Sequence, residues 1–336
     1  MGAAIVLGLL APVCEQAAAA DGATLAAVKH RGYLICGASQ GTAGFGLPDS
    51  RGYWRGLDVD ICRAVAAAIF GDKNKAQFVP LTGEQRLTAL ETGAIDMLPR
   101  TLTWTLSRDA RVDFTFPDFY DYVGLLVRKS DHIRDVTELK GASVCVQTGS
   151  TTEISLADVS RQRHLALRPV IFDNVPATRQ AFFTGRCDAL MSDASALASV
   201  RATLAKDPSA FEIVPATDEI EALTPAVRQG DDQWFDIVKW SFQALLVAEQ
   251  LGITRSNVDS MRGSKNPDVR RFLGIEPGTG KALGLDDAWA YHIIKQLGNY
   301  GEIYDRDVGK DSPLKIKRGY NRLVRDGGLM LPLPFE

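Results

Sequence analysis

One short string occurs twice in this chain, at equivalent points of two similar patterns, and it limits the fold more than any other feature. Residues 92–98 (TGAIDML) and 184–190 (TGRCDAL) share T-G-x-x-D-x-L. In each copy a glycine closes a helical stretch, as glycine often does at helix C-termini, and a β-rich run follows. Up to the first copy the chain reads as strand 33–36, a Gly-rich loop over 37–56 and helix 58–70, with Val59, Cys62, Val65, Ala66 and Ile69 on one face. Strand 77–80, helix 84–92 and strand 95–98 follow. Around the second copy the order recurs as strand 142–147, helix 151–164, strand 167–172, helix 176–184 and strand 188–191. Each βαβαβ unit implies a parallel sheet flanked by helices. The chain has 336 residues, enough for two cored domains, so the repetition predicts an α/β protein of two similar lobes.

Two extended apolar runs, 123–129 (VGLLVRK) and 222–228 (ALTPAVR), stand between and after the units. They read as the two crossings of a hinge, the layout of a clam-shell protein. The expected lobes are then 21–125 with 226–336, which includes a C-terminal extension, and 126–225. Residues 1–20 form a separate segment. An apolar start (MGAAIVLGLL) and a run of small residues up to Ala20 resemble the core and cleavage site of a secretory signal, although the usual basic start is missing. Without it one charge, Glu15, is lost, and the formal net charge of −3 becomes −2. No dense Lys/Arg run exists, which argues against a nucleic-acid partner.

Four cysteines lie beyond that segment: Cys36, Cys62, Cys145 and Cys187. An even number in an exported chain suggests two disulfides, with three pairings open. No C-x-x-C occurs and the chain has only four histidines, so neither a metal nor a cofactor is expected.

In open parallel sheets, ligands bind beyond the carboxyl ends of the strands. The residues found there carry charge. After strand 95–98 come Arg100, then Thr101, Thr103 and Thr105 on one side by alternation, then Arg108. A guanidinium among hydroxyls suits a carboxylate. After strand 142–147 come Thr148, Gly149, Ser150 and Thr151. Ser150 and Glu153 fit a capping box, and the free N–H groups of Thr151 and Thr152 would favour an anion. After strand 188–191 comes Asp193, either a helix N-cap or the partner of an ammonium group. One arginine, one helix N-terminus and one aspartate suit a zwitterion such as an α-amino acid. No catalytic motif accompanies them: there is no G-x-S-x-G, P-loop, G-x-G-x-x-G or H-E-x-x-H. Asp58 and Asp60 open a helix, where acids favour the macrodipole.

The segments 56–61 (GLDVDI), 101–108 (TLTWTLSR) and 147–151 (QTGST) resemble the amino-acid class, family 3, of bacterial extracellular solute-binding proteins. Residues 36–41 (CGASQG), 104–109 (WTLSRD), 144–149 (VCVQTG), 226–235 (AVRQGDDQWF) and 318–321 (RGYN) are most similar to its general L-amino-acid-binding members, which serve ABC importers. The resemblance implies a type II periplasmic-binding-protein fold, two mixed sheets joined by two hinge strands. It implies a monomeric, non-enzymatic periplasmic subunit that delivers free L-amino acids to a membrane permease. Arg108 would hold the ligand α-carboxylate with Thr103 and the N–H of Thr151. Asp193 would hold the α-ammonium with the Thr101 carbonyl and the Thr103 hydroxyl. Ser39, Gln40, Arg100 and Gln147 would line the side-chain end. Narrower relatives often carry an acid and aromatic rings where this chain has Ser39, Thr42 and Gly83, which suits broad specificity; Leu102 stands where asparagine is expected. The rival expectation is a dehydratase-like periplasmic enzyme on the same scaffold, which would need a poised acid or base in the cleft.

Overall fold

The computed structural model describes residues 22–335; the expected signal segment, residues 1–20, lies outside them. The first lobe is built on strand β1 (Leu34–Ala38), followed by helix α1 (Leu57–Phe70), strand β2 (Ala76–Pro80) and helix α2 (Gln85–Glu91). β1 and β2 run parallel, with Leu34 opposite Ala76. Residues 95–98, expected as a third strand, form only single bridges, Cys36 with Met97 and Leu98 with Ala226. Gly93, at φ 77°, ends the preceding helical turn as expected.

The second lobe carries a full five-stranded sheet. Its strands are β3 (Val123–Arg128), β4 (Ser143–Gln147), β5 (Arg168–Phe172), β6 (Ala189–Asp193) and β7 (Phe211–Pro215), ordered β7-β3-β6-β4-β5. Helices α3 (Thr151–Gln162), α4 (Val175–Phe183) and α5 (Ala194–Thr203) connect them. Alternation along the strands feeds both faces. Val144, Val146, Leu125, Val127 and Met191 pack on one side with Leu156 and Val159 of α3. Cys145, Leu126 and Leu190 pack on the other with Phe182 and Leu197. Helices on both faces bury the sheet, which is why its strands read as continuous apolar runs.

The two apolar runs read as hinge crossings have a second role. β3 is an inner strand of the second sheet, antiparallel to both β6 and β7. Ala226–Val227 takes the matching place in the first lobe, bridging Leu98 and pairing antiparallel with Asp113–Phe114. The crossing itself lies just before the first run and at the start of the second, where Phe119–Asp121 pairs antiparallel with Glu221–Leu223. In each lobe the segment that has just left the other supplies a pairing strand.

Helix α6 (Asp232–Gln250) and the following residues return to the first lobe. Trp289, Ile293, Leu297, Tyr300 and Tyr304 share one core with Leu34, Ile61, Val65 and Phe242. The extension also grips the crossing strand. Asn321 accepts the N–H of Tyr120 at 2.7 Å and donates to its carbonyl at 3.0 Å, and the Tyr300 hydroxyl donates to the Asp118 carbonyl at 2.7 Å.

The cysteine pairing left open by the sequence resolves as Cys36–Cys62 and Cys145–Cys187, with Cα–Cα distances of 6.5 and 5.6 Å. The first ties β1 to α1; the second ties β4 to the residues leading into β6. Cys145 and Cys187 are 42 residues apart. Closing a loop of that length in the unfolded chain is worth about 3–4 kcal/mol. Replacing both by serine should lower the urea-unfolding free energy by about that amount.

Candidate ligand-binding site

The carboxyl ends of β1, β4 and β6 face one another across the seam between the lobes, and the side chains there enclose about 760 Å³ of empty space, part of it open to solvent. Ser39, Arg100, Thr101, Thr103, Gln147, Ser150, Thr151 and Asp193, all singled out in the sequence, line it. Two expected residues do not. Arg108 lies behind the wall, donating from one guanidinium nitrogen to the Thr103 carbonyl at 2.9 Å. Gln40 sits beside Ser39 with its side-chain oxygen buried and unpartnered among the described residues. Leu102 turns into the core with Leu81 and Leu98, so it takes no part in the pocket. Trp104 stacks on Phe114 and is also absent from the lining.

Local folding frees the polar groups. Ser150 caps α3, accepting the N–H of Glu153 at 3.2 Å. Glu153 closes the expected capping box one residue early, accepting from Gly149 rather than Ser150. Among the described residues nothing takes the N–H groups of Thr151 and Thr152, as expected for the first turn of a helix. Asp193 precedes α5 but makes no capping hydrogen bond. Asp121, on the crossing strand, accepts the Ser195 N–H instead, at 3.2 Å. The helix is capped from outside, and the Asp193 carboxylate is left to the cleft. Thr101 holds φ at 36°, a left-handed conformation costly for a β-branched residue.

The electrostatics are richer than the sequence suggested. Arg86, on α2, and Arg179, on α4, also line the cleft. Arg179 reaches across the seam, donating to the Gly41 carbonyl at 2.6 Å and to the Thr42 hydroxyl at 3.1 Å. Glu221, on the crossing, accepts from the hydroxyls of Thr103 and Thr151, each at 3.3 Å, and so touches both lobes. Burial, then the nearby Asp193 and Asp121, push its carboxyl up to about 8. Burial and Asp193 hold Asp121 at about 7. Burial also raises Asp193, against the pull of Arg86 and Arg108. The two arginines pull Asp193 toward its ionised form, while the acids beside Glu221 push that carboxyl toward its protonated form. On the cationic side, burial lowers Arg86 well below its usual value, with Arg100 and Arg108 adding repulsion. Burial brings Arg100 to about 10, offset by Asp58 and Asp193. Asp58, expected only as a helix-opening acid, is buried beside Arg100, and burial takes it to about 8.

Glu221, Arg86 and Arg179 escaped the sequence reading for one reason. None lies at the carboxyl end of a strand in its own βαβ unit. They belong to a crossing and to two helix faces, and only tertiary packing brings them to the seam. The Arg residues sit within amphipathic helices, where the ordinary reading is a solvated position.

Residues 34–252 match the family described as bacterial extracellular solute-binding proteins, family 3. The chain belongs to this family. Its two-lobed α/β architecture is the type II periplasmic-binding-protein fold. It is 48% identical over 322 residues to the general L-amino acid-binding periplasmic protein AapJ of Rhizobium johnstonii, covering 95% of this chain and 94% of that one. It is 45% identical to the glutamate/glutamine/aspartate/asparagine-binding protein BztA of Rhodobacter capsulatus, covering 98% of each. A periplasmic binding protein of Brucella ovis with glutathione bound superposes with a TM-score of 0.91 at 44% identity, over 94% of this chain and all of that one. These family members are periplasmic or extracellular proteins, and no helix among the described residues is long and apolar enough to cross a membrane.

Two predictions follow from this geometry. Because Glu221 has a folded-state pKa above its ordinary value of 4.5, ionising it costs folding free energy. The loss begins near 4.5 and is complete past about 8. Glu221→Gln should flatten the fall in ligand-free stability between about pH 5 and 8, read from urea midpoints. At the rim, a Cβ on Gly83 would lie 2.9 Å from the Thr148 carbonyl oxygen of the other lobe. Gly83→Leu should hold the lobes apart, raising the ligand-saturated radius of gyration in X-ray scattering and weakening ligand binding at least tenfold.

Proposed function

We propose that this protein is the periplasmic solute-binding subunit of an ABC importer, that it captures free L-amino acids of several kinds between its lobes, and that it delivers them to a membrane permease as a monomer. The observation that carries the reading is the uncapped Asp193 carboxylate facing a seam rich in guanidinium groups, beside the free helix N-terminus at Thr151. An α-amino acid brings one positive and one negative group on a single carbon. In this reading Asp193 takes the ammonium, with the Thr101 carbonyl, the Thr103 hydroxyl and, once its proton leaves, Glu221. Arg108, turned from the Thr103 carbonyl, takes the carboxylate with Thr103 and the N–H of Thr151. Ser39, Gln40, Arg100 and Gln147 surround the side chain. The names of AapJ and BztA support the class of ligand. Glutathione, bound by the Brucella ovis relative, itself ends in a free α-amino acid group.

The lobes in this reading are 21–125 with 226–336, and 126–225, turning about Phe119–Asp121 and Glu221–Leu223. Closure differs in ligand affinity from the open form, which is what shifts the population. Glu221, with its raised pKa, is the one observation that favours an enzyme, since it is a poised acid in the cleft. Its hydroxyl partners on both lobes fit it better to closure. Steady-state assays that find turnover of any bound amino acid would favour the enzyme.

Arg108→Ala should weaken amino-acid binding by about 2–5 kcal/mol, because it leaves a buried carboxylate unpaired. Calorimetry that finds unchanged affinity would remove Arg108 from the site.

A further inference from the structure

Two of the arginines that line the cleft are unsatisfied. Arg86 and Arg100 retain only 6% and 5% of their accessible surface, and the Nε–H of each is buried with no hydrogen-bond partner among the described residues. A buried donor without an acceptor costs free energy, more so when it is charged. The nearby carboxyl groups do not meet these donors, although Asp58 Oδ2 and Glu221 Oε2 are themselves buried without a hydrogen-bond partner among the described residues. The Asp58 carboxyl beside Arg100 is pushed by burial to about 8, so it offers little negative charge at neutral pH. Glu221 is held protonated in the same way. Asp193 is the remaining anion, and in the proposed function it faces the ligand ammonium.

A neutral amino acid does not close this gap. Its ammonium and carboxylate cancel, so it consumes Asp193 and Arg108 and leaves the charge of Arg86, Arg100 and Arg179 as it was. Arg179 comes from the other lobe, and its contacts with Gly41 and Thr42 place it on the same wall as Ser39, which is the side-chain end of the pocket. Three guanidinium groups thus converge on the part of the cleft that the ligand side chain enters.

We infer that the preferred ligands are L-amino acids whose side chain ends in a second carboxylate, received by Arg100 and Arg86 from one lobe and Arg179 from the other. This deepens the proposed function and rests on it. Guanidinium groups pair bidentately with carboxylates, so the second anion would meet the orphaned donors while neutralising their mutual repulsion. Neutral side chains would still enter, since Ser39, Thr42 and Gln147 supply uncharged polar contacts, but with lower affinity.

The test is calorimetry on the full chain with L-glutamate against L-glutamine and L-aspartate against L-asparagine, pairs of nearly equal shape. At low salt the acid should bind at least tenfold more tightly than its amide. Arg100→Gln should reduce that ratio at least tenfold, and Arg179→Gln, a variant on the other lobe, should reduce it as well. The readout is the ratio, because a merely structural role would weaken both ligands alike and leave it unchanged. An amide that binds as tightly as its acid, or a ratio unmoved in both variants, overturns the inference and leaves amino-acid capture standing. Failure of the unaltered protein to bind any amino acid, neutral or acidic, overturns capture and this inference together.

Discussion

A guanidinium group removed from water must find negative charge or acceptors close by, and this cleft removes four of them. Arg86, Arg100 and Arg108 are nearly fully buried, and Arg179 is held across the seam. Burial depresses all four, and the first three also repel one another. The carboxyl groups that might balance them are themselves pushed toward neutrality, because burial penalises their ionised form too. The cleft is a set of mutually frustrated charges. A stable core elsewhere has to hold them together, and two features provide it: a disulfide in each lobe, and the C-terminal extension packed on the first lobe.

That frustration is positioned by topology. Strands that run parallel end on the same side, and both lobes place that side at the seam. The strands that follow each crossing fix the arrangement. β3 follows the first crossing and lies wholly inside the second sheet, while Ala226–Val227 follows the second crossing and enters the first lobe. Residues on the crossing, Asp121 and Glu221, therefore belong to neither lobe alone. Asp121 caps α5 and so releases Asp193; Glu221 touches a hydroxyl from each side. The extension fastens Tyr120, beside them, through both backbone groups of that residue.

Much of this could be read from the residues in order, because it depends on local rules. The repeated T-G-x-x-D-x-L marked a helix end and the approach to a strand in both lobes, and Gly93 adopts the left-handed conformation that a helix stop favours. Ser150 caps its helix because a hydroxyl at that position always can. Thr101, Thr103, Thr151 and Asp193 line the cleft because strand ends must. What local rules could not supply was the partner of each group. Nothing near Asp193 in sequence reveals that Asp121 takes over its capping role, 72 positions earlier by residue number. Residues 123–129 were read as a simple crossing because an inner strand and an extended linker share the same apolar pattern; only pairing with β6 and β7 separates them. Arg86 and Arg179 looked solvated for the same reason: helical spacing says which face a residue occupies, not what lies opposite.

The same accounting explains why such a cleft would close on its cargo rather than by itself. Among the described residues the bonds that span the seam are few: Arg179 donates to the Gly41 carbonyl at 2.6 Å and the Thr42 hydroxyl at 3.1 Å, and the others are longer, 3.4 Å from Thr148 to Glu84, 3.4 Å from Arg86 to the Gly149 carbonyl, and 3.3 Å among Thr103, Thr151 and Glu221. A neutral one contributes about 0.5–1.5 kcal/mol and one to a charged group about 1.5–3 kcal/mol. Against them stands the cost of bringing Arg179 toward Arg100 and of drying the carboxyl groups. A ligand that carries negative charge to the arginines and positive charge to Asp193 reverses both terms, and only in the closed arrangement, where both lobes contribute. An interaction that exists in one state and not the other is what allows a small molecule to choose between them. Buried charges that the protein's own groups only partly satisfy would then supply the free energy that couples recognition to closure.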